Sequence, residues 1–429
     1  MAGGDRDLIP ADNGRGEESA ADRIEACLAR YGAVESRIHA FAWLDPDRAR
    51  RLGRERDGER WKGLLHGVPV GVKDIFDTAG IPTEHGSRLF AGRVPETSAD
   101  AVIALEDAGA IVLGKTVTAE LAFLTPGPTR NPWDLDRTPG GSSMGSAAAV
   151  AAGVVPLALG TQTNGSIIRP AAFCGIVGFK PSAGRISKAG VLEFSHTLDQ
   201  VGGFTRNVPD VASLCAVLSR ERLREWWSPP SAVPRLAALR TAEWEHASDA
   251  MQRRFEADVD ALALAGGPIE WPEPPPDLDD AAAALRTIMA VESARSLGGA
   301  VAARPEAVSA GTREFLSRGE EITAEAYASA LDERERLIDA FGAWASPYDA
   351  ILTPPTTGEA PGPETTGDPR FCTRWSLVGA PAITIPTGLS PSGLPLGLQL
   401  VAAPGRDRAL LAAAAWAEAL RPFPARPPL

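Results

Sequence analysis

The sequence is poor in lysine, histidine and cysteine. Only five of its 43 basic residues are lysine, and its 429 residues include five histidines and four cysteines. The cysteines are scattered, without a C-x-x-C pair, so the sequence indicates neither a disulfide framework nor a zinc site. The histidines lack the H-E-x-x-H spacing of a metalloprotease. Because arginine supplies nearly all of the positive charge, each lysine becomes a candidate for a specific role.

Long apolar runs and an excess of positive charge are also absent. The most apolar stretch, residues 147–159, is too short to span a bilayer and contains a proline. The formal net charge is −12, which offers no counter-charge to nucleic acid or to an anionic membrane. The polar, acidic residues 1–21 do not resemble a signal peptide. We therefore expect a cytoplasmic protein whose partners include neither nucleic acid nor a membrane.

The composition and the hydrophobic pattern of the sequence change along the chain. Residues 21–55 have helical spacing, and residues 65–215 alternate short apolar runs and Gly-rich turns with Ala-rich segments, which indicates an α/β sheet buried on both faces. Residues 216–345 are rich in Arg, Glu and Ala and are interrupted by Pro-rich joints, which is typical of a set of helices. Strand-like runs return from residue 350. A core that the chain leaves and re-enters predicts one large sheet with a helical insertion.

Two short motifs match known functional patterns by their letters alone. Residues 109–116 match the phosphate-loop pattern G-x-x-x-x-G-K-[ST], but the residues inside the motif form an apolar run typical of a buried strand. Their backbone N–H groups would then pair within a sheet instead of wrapping phosphates. Residues 141–145 match the G-x-S-x-G nucleophile elbow, which needs a strand before it, but the preceding segment is rich in Pro and Asp. We expect neither function.

Three other segments answer a single chemical need. Lys73 ends an apolar strand, Ser142 lies in a Gly/Ser loop before an Ala-rich helix, and Ser166 follows a Gly-containing turn. Taken singly, these features are typical of a solvated lysine, a helix cap and a turn. A serine hydroxyl needs a base to become a nucleophile, and a buried lysine with a lowered pKa can be that base. A relay from Ser166 through Ser142 to Lys73 would supply it, and the turn before Ser166 could offer N–H groups to an oxyanion.

The segments around these residues resemble those of the amidase signature family. Lys73 lies in a G-V-K-D block, residues 140–146 are similar to the G-G-S-S-G-G-S block, and residues 161–181 are similar to the block that holds the nucleophile. The spacings are similar too, with 69 residues from Lys73 to Ser142 (142 − 73) and 24 from Ser142 to Ser166 (166 − 142). Three ordered motifs at matching spacing make this a specific resemblance.

The resemblance covers about residues 20–420 and implies an amidase signature fold of the α/β class, a large mixed central β-sheet covered by helices on both faces. We expect a flexible leader over 1–20 and a single domain over 21–425, with the helical insertion at about 216–345. The resemblance implies no metal and no organic cofactor. The expected partner is a small-molecule amide substrate, and a homodimer is left open.

The resemblance also implies roles for individual residues. Ser166 would attack the amide carbonyl and carry the acyl group, Ser142 would relay the proton, and Lys73 would be the base. A cis peptide bond would join Gly141 to the relay serine, whose hydroxyl Thr161 would help to orient. The oxyanion- and substrate-binding set implied by the resemblance is Gly141, Thr161, Thr163, Asn164, Gly165 and Arg169, with the amide of Ser166.

Two residues depart from the family pattern. Asn164 stands where the family usually has glycine, and Met144 replaces another glycine. Asparagine tolerates a positive φ better than most residues, so the turn is expected to survive with its side chain toward the pocket. Met144 would place an apolar side chain beside the relay serine. Neither change removes a reacting atom, so we expect an active site with an altered pocket.

The nucleophile block resembles the malonamidase-like branch of the family, in which an arginine three residues after the nucleophile holds a substrate carboxylate. The segment Asp368–Phe371, followed by Trp375, points to the same branch. Arg169 would then favour a small amide bearing an acid, because guanidinium pairs bidentately with carboxylate. The open alternative is that Arg169 braces the loop through backbone carbonyls or an aspartate.

The remaining pocket walls are expected from residues 121–130 and from the insertion. The insertion contains Trp226, Trp227 and Trp244, which indicate either an entrance for a bulky apolar substrate or a local helical core. We therefore predict an amidohydrolase with a Ser-cisSer-Lys triad. A carbamate (urethanase) or aryl-amide hydrolase is the alternative within the family. Further alternatives are an inactive ligand-binding relative and a subunit of an amidotransferase.

Overall fold

The computed structural model describes residues 18–275, 278 and 281–429. Ten strands among these residues form one sheet: β1 (Phe41–Leu44), β2 (Pro69–Lys73), β3 (Ile111–Thr116), β4 (Leu157–Gln162), β5 (Val177–Lys180), β6 (Gln200–Thr205), β7 (Leu236–Ala238), β8 (Ala350–Thr353), β9 (Ala382–Leu389) and β10 (Pro395–Val401). Their spatial order is β1-β3-β2-β4-β6-β5-β9-β10-β8-β7. The sheet is mixed, because β3-β2-β4 and β7-β8 are parallel whereas the remaining neighbours are antiparallel.

Thirteen α-helices accompany the sheet within the same described residues. They are α1 (Ala20–Ile38), α2 (Pro46–Gly58), α3 (Asp100–Asp107), α4 (Met144–Ala151), α5 (Ile168–Cys174), α6 (Val208–Leu218), α7 (Leu223–Trp226), α8 (Asp249–Gly266), α9 (Ala281–Ala303), α10 (Ala310–Glu321), α11 (Ala324–Ala345), α12 (Arg370–Leu377) and α13 (Asp407–Leu420). Several begin where the sequence supplies an N-cap, such as Asp45 before α2, which also has Pro46 in its first turn.

Alternate residues of the central strands enter two different apolar cores. In β3, Val112 packs in the core under α3, α6 and α13, whereas Ile111 and Leu113 pack in the core under α1 and α4. In β4, Leu157 lies in the first of these cores and Ala158 in the second. Side chains alternate across a strand, so helices on both faces are required to bury them. The predicted α/β class and the large mixed sheet covered on both faces are confirmed.

The segment 216–345 is not entirely helical, which corrects the sequence expectation. It contributes β7, which pairs in parallel with β8 and forms one edge of the sheet. The run Leu236–Ala238 is too short to show a strand pattern, and it becomes a strand because β8 offers it a partner. The helices α9, α10 and α11 of this segment pack together, and Phe341 of α11 lies 5.3 Å from the ring of Trp375 in α12.

The predicted leader, residues 1–20, lies outside the described residues as far as residue 17. Its last residue differs from the expectation, because α1 already begins at Ala20. Ser19 is the N-cap, and its hydroxyl accepts a hydrogen bond from the N–H of Asp22. None of the described helices combines the length and the apolar character that crossing a membrane requires.

The phosphate-loop pattern at 109–116 is a buried strand, as the sequence analysis expected. Residues 111–116 are β3, between β1 and β2. Lys115 is fully buried and donates to the carbonyl oxygen of Phe76 (2.8 Å) and to Thr83 Oγ1 (2.5 Å). Its Nζ lies 3.3 Å from Asp74 Oδ1. The lysine of this motif is therefore an internal cross-link between β3 and the segment after β2.

Candidate active site

Two adjacent parallel strands place Lys73 and Ser166 at one edge of the sheet, where the third predicted catalytic residue, Ser142, joins them. Lys73 is the last residue of β2, and Ser166 follows β4, which pairs directly with β2. The carboxyl ends of neighbouring parallel strands meet at the same edge, so residues far apart in sequence become neighbours there. Ser142 reaches this edge from the loop before α4.

Two glycines allow the backbone around Ser142 to pack closely against neighbouring segments. A Cβ at Gly145 would lie 2.1 Å from the carbonyl oxygen of Ala40, and a Cβ at Gly141 would lie 2.7 Å from Thr366 Cγ2. Both positions therefore require close backbone approach. The peptide bond between Gly141 and Ser142 is cis, as the resemblance implies.

Lys73 is completely buried and, among the described residues, is bonded only to hydroxyl groups. Its Nζ donates to Ser142 Oγ and to Thr161 Oγ1, each at 2.9 Å. Burial lowers the pKa of Lys73 to about 7, because an ammonium loses its hydration, and the negative charge of Asp199 opposes this shift. The resemblance implies that Thr161 orients the relay serine. The structure instead bonds Thr161 to the lysine, and no hydrogen bond joins Thr161 to Ser142 in the described part of the chain.

Ser166 lies at the floor of a cavity with its hydroxyl unengaged. The residue is 8% exposed and lines the cavity. Within the described part of the chain, its Oγ makes no hydrogen bond, so the contact from Ser166 to Ser142 that a relay needs is not formed here. The N–H groups of Asn164, Gly165 and Ser166 likewise have no acceptor among the described residues, and they are available to an oxyanion.

The turn before Ser166 differs from the expectation at Asn164. The left-handed conformation falls on Gly165, with φ of +109°, and Asn164 does not have a positive φ. The next residue is a glycine, so it takes the strained position and Asn164 can keep an ordinary backbone. Its side chain lies at the cavity wall as expected, with a buried Oδ1 that has no hydrogen-bond partner in the described protein. The other departure, Met144, is buried, and its Sδ accepts from the N–H of Gly127 at 3.2 Å.

Two residues support this turn although the sequence analysis assigned them no role. Gln162 Oε1 accepts hydrogen bonds from the N–H groups of Ile167 (2.9 Å) and Ile168 (3.0 Å), which fixes the start of α5. Asp199 accepts from Thr163 Oγ1 at 2.5 Å. The sequence feature that could have pointed to the role of Gln162 is its position as a polar residue at the end of an apolar strand.

Asp199 is a half-buried carboxylate whose charge acts on the lysine. Besides Thr163, the N–H groups of Phe194 (2.8 Å) and Ser195 (2.9 Å) donate to it. Burial raises the pKa of Asp199, and these hydrogen bonds act in the opposite direction because they stabilise the charged form. Asp199 thus joins the loop 193–199 to the turn that precedes Ser166.

The cavity above Ser166 has a volume of about 590 Å³. Its wall comes from four parts of the chain: Ala122, Phe123 and Leu124; Thr163, Asn164, Ser166, Arg169 and Phe194; Ala242, Glu243, His246, Ala282, Arg286, Met289 and Phe315; and Asp368, Pro369, Arg370 and Thr373. Both predicted sources, residues 121–130 and the insertion, contribute. The tryptophans do not line it: Trp226 is buried against Phe179 and Trp244 packs on Phe255, so they belong to local cores.

Not all of the predicted binding residues reach this cavity. Thr163, Asn164, Ser166 and Arg169 line it, whereas Gly141, Thr161 and Gly165 do not. Lys73 and Ser142 lie buried below. No group of three or more His, Cys, Asp or Glu side chains in the described residues is arranged to hold a metal ion.

Arg169 is a buried cation whose guanidinium is hydrogen-bonded through one of its three nitrogens in the described protein. Its Nη2 donates to the carbonyl oxygen of Gly141 (2.7 Å) and contacts Thr366 Oγ1 (3.4 Å). Its Nε and Nη1 have no partner among the described residues, although the residue is 2% exposed. Burial lowers the pKa of Arg169 to about 10. The bracing alternative is therefore correct for Nη2, and Nη1 keeps the capacity to donate to an anion.

Solved structures with this fold include proteins that are named for amide chemistry. One described as the crystal structure of an amidase superimposes with a TM-score of 0.88 at 32% identity, covering 96% of this chain and 99% of that chain. The glutamyl-tRNA(Gln) amidotransferase A subunit from Thermotoga maritima gives a TM-score of 0.78 at 29% identity, covering 93% and 92%. Together with the site, this fold defines an amide-hydrolysing enzyme.

The family follows from the sequence match. The amidase family model matches residues 22–411, so the chain belongs to the amidase family, and the predicted family membership is confirmed. Among curated proteins, the chain is similar to the glutamyl-tRNA(Gln) amidotransferase A subunit from Acidothermus cellulolyticus, with 35% identity over 451 aligned residues that cover 90% of this chain and 88% of that protein.

Proposed function

We propose that this enzyme hydrolyses a carboxamide C–N bond through an acyl-enzyme on Ser166, with Lys73 as the base and Ser142 as the proton relay. The observation that carries the proposal is the environment of Lys73, a buried amine whose hydrogen bonds within the described residues go to the hydroxyls of Ser142 and Thr161. A hydroxyl can donate a proton as well as accept one, so these partners are compatible with a neutral, basic amine.

The proposed reaction balances as a hydrolysis. Ser166 Oγ attacks the amide carbon while its proton passes to Ser142 Oγ, and the proton of Ser142 passes to the neutral Lys73 Nζ. The oxyanion accepts hydrogen bonds from the free N–H groups that precede and include Ser166. The C–N bond then breaks as the proton returns through Ser142 to the leaving nitrogen. Water cleaves the acyl ester by the same route, which yields a carboxylic acid and ammonia or an amine.

The unpartnered Nη1 of Arg169 supports a substrate that carries a carboxylate near the scissile bond. Nη1 lies on the terminal edge of the guanidinium and can donate to a carboxylate there, and an unpaired buried charge is otherwise costly. Arg370, at the same wall, is already neutralised by Asp368, since its Nη2 lies 2.7 Å from Asp368 Oδ2. Arg169 is therefore the better anchor for an acid amide.

A role as part of an amidotransferase is the second candidate, and the curated relative named above favours it. Two observations favour the hydrolase. The fold superimposes more closely on the amidase structure than on the amidotransferase structure. The net charge of −12 does not suit a tRNA-facing surface.

The test combines labelling with a small substrate panel. We expect a fluorophosphonate to label Ser166 in the wild type and not in Ser166→Ala. We also expect ammonia release from malonamate to exceed release from propionamide, which has no carboxylate. Absence of an adduct on Ser166 would contradict the acyl-enzyme, and equal rates for the two amides would contradict the acid-amide substrate.

A further inference from the structure

The cavity is larger than a small acid amide requires. Its volume of about 590 Å³ lies in the range of roughly 300–1,000 Å³ that encloses drug-sized ligands. Malonamate would occupy only the part between Ser166 and Arg169. The rest of the wall carries charged side chains such as Arg286, and it also includes Phe123, Phe315 and Met289, which offer no hydrogen bonds to such a molecule.

Three phenylalanines of the cavity lining pack against one another, and we term them the aromatic wall: Phe123, Phe194 and Phe315. The ring centroid of Phe123 lies 5.0 Å from that of Phe194 and 4.5 Å from that of Phe315. The ring planes of Phe123 and Phe194 are inclined by 20°, those of Phe123 and Phe315 by 35°, and those of Phe194 and Phe315 by 15°. Phe315 is the least buried of the three, so it presents the most open ring surface to a ligand.

The aromatic wall is held in place by polar contacts that lie outside the cavity. The carboxylate of Glu120 accepts from the N–H of Ser309, at 3.0 Å, and from Thr312 Oγ1, at 2.9 Å. Thr125 Oγ1 lies 2.8 Å from Ser309 Oγ. These bonds tie the loop that carries Phe123 to the first turn of α10. The rings therefore keep a fixed spacing, which lowers the entropy cost of binding a flat group.

We propose that the substrate is an amide that carries an aromatic ring, and that this ring packs on the aromatic wall while the amide lies at Ser166. The proposal rests on the proposed function and adds the class of its substrate. Nearly parallel rings of fixed spacing favour a further flat ring in offset or edge contact over a saturated group of equal size. The sulfur of Met289, at the same wall, is a favourable neighbour for an aromatic ring as well.

The first test compares malonamate with two phenyl derivatives, 2-phenylmalonamate and N-phenylmalonamate, and with their cyclohexyl counterparts. The two derivatives distinguish a ring on the acyl side from a ring on the amine side. We expect at least one phenyl derivative to exceed malonamate in kcat/KM by roughly tenfold or more. A preference for malonamate, or equal rates for phenyl and cyclohexyl derivatives, would overturn the proposal.

The second test removes the most open ring. Phe315→Ala is expected to lower the ratio of kcat/KM for the preferred phenyl substrate to kcat/KM for malonamate by roughly tenfold. Phe315→Leu keeps the apolar volume and should lose the same preference, which covers the case that the alanine variant folds poorly. Phe41→Ala is the matched control, since Phe41 is half-buried against Tyr31 outside the cavity. Equal loss for all substrates would overturn the proposal.

A binding measurement keeps this proposal distinct from the proposed function. Calorimetry on Ser166→Ala is expected to show a more negative heat-capacity change for N-phenylmalonamate or 2-phenylmalonamate than for malonamate, because the ring buries apolar surface. If wild-type Ser166 takes no fluorophosphonate and no amide is hydrolysed, the proposed function fails. The calorimetry still decides whether the aromatic wall binds a ring, and tighter binding of malonamate would overturn that inference.

Discussion

Two lysines on neighbouring strands share the same burial and differ in their partners. Lys73 ends β2 and Lys115 lies in β3, beside it in the sheet. Both side chains are fully buried, and burial lowers the pKa of Lys73 to about 7 and that of Lys115 to about 8. Lys73 donates to hydroxyls, whereas Lys115 contacts a backbone carbonyl, a hydroxyl and the carboxylate of Asp74.

A third buried lysine shows that the lowered pKa alone does not mark the base. The pKa of Lys180 is also lowered to about 7 by burial, but its Nζ donates to three oxygens that can only accept, the carbonyls of Pro181 and Ala380 and Gln200 Oε1. Such acceptors hold an ammonium in place. Only partners that can also donate a proton leave a lysine free to change its state. A candidate base therefore differs from a structural lysine in its hydrogen-bond partners. Hydroxyl groups can also donate a proton, whereas carbonyl and amide oxygens can only accept one.

The largest effect should follow from replacing Lys73, the lysine whose hydrogen-bond partners are hydroxyl groups. Lys73→Met is expected to lower kcat by about 10⁴-fold or more, because the relay loses its proton acceptor. The free energy of unfolding should stay the same or rise, since a buried amine that forms no ion pair among the described residues is removed. Steady-state kinetics and chemical denaturation measure the two quantities. Residual activity within tenfold of the wild type would contradict the assignment of Lys73 as the base.

The reverse pattern is expected for the neighbouring lysine. Lys115→Met leaves the buried carboxylate of Asp74 without its cation and should lower the free energy of unfolding by about 3–5 kcal/mol. The kcat of the molecules that remain folded should change by less than about tenfold. Denaturant unfolding and kinetics at a temperature well below the midpoint separate the two effects. A loss of activity without a loss of stability would break the distinction between these lysines.

A buried arginine extends the comparison to the cavity. Arg169→Lys should weaken the brace on the Gly141 carbonyl for every substrate and should also remove the unpartnered Nη1 donor. We therefore expect the ratio of kcat/KM for malonamate to that for propionamide to fall by roughly 10–100-fold. Parallel kinetics of the two amides measure this ratio. An unchanged ratio, with both rates lowered alike, would leave Arg169 with a bracing role only.

The smallest expected effect concerns the charge that faces the base. Activity should rise with pH through about 7 as Lys73 becomes neutral, because the neutral amine is the active form. The negative charge of Asp199 raises the pKa of Lys73, so Asp199→Asn should move the rising limb of kcat/KM to lower pH. The asparagine can still accept from Thr163. A shift to higher pH would contradict this electrostatic role.

Much of the architecture around the lysines was predictable from local patterns. The strands β2, β3 and β4, the Ala-rich helix α4 and the terminal helix α13 follow from apolar periodicity and Gly-rich turns. The order and spacing of Lys73, Ser142 and Ser166 pointed to a candidate site, and the structure brings these three residues to one edge of the sheet. Residues 216–345 were harder, because β7 becomes a strand only where β8 offers it hydrogen bonds.

Local patterns of the sequence establish the fold class and the family, and they single out Lys73, Ser142 and Ser166 as the candidate reacting side chains, because periodicity, turn residues and ordered motifs are local properties of the chain. The packing of the folded chain sets which buried lysine contacts hydroxyls, which nitrogens of Arg169 have no partner among the described residues and that Asp199 bonds to the turn before Ser166. It also brought Phe123, Phe194 and Phe315 together from three distant segments. Burial, pKa and cavity shape depend on neighbours that are remote along the chain, so they arise only when the sheet and its helices have packed.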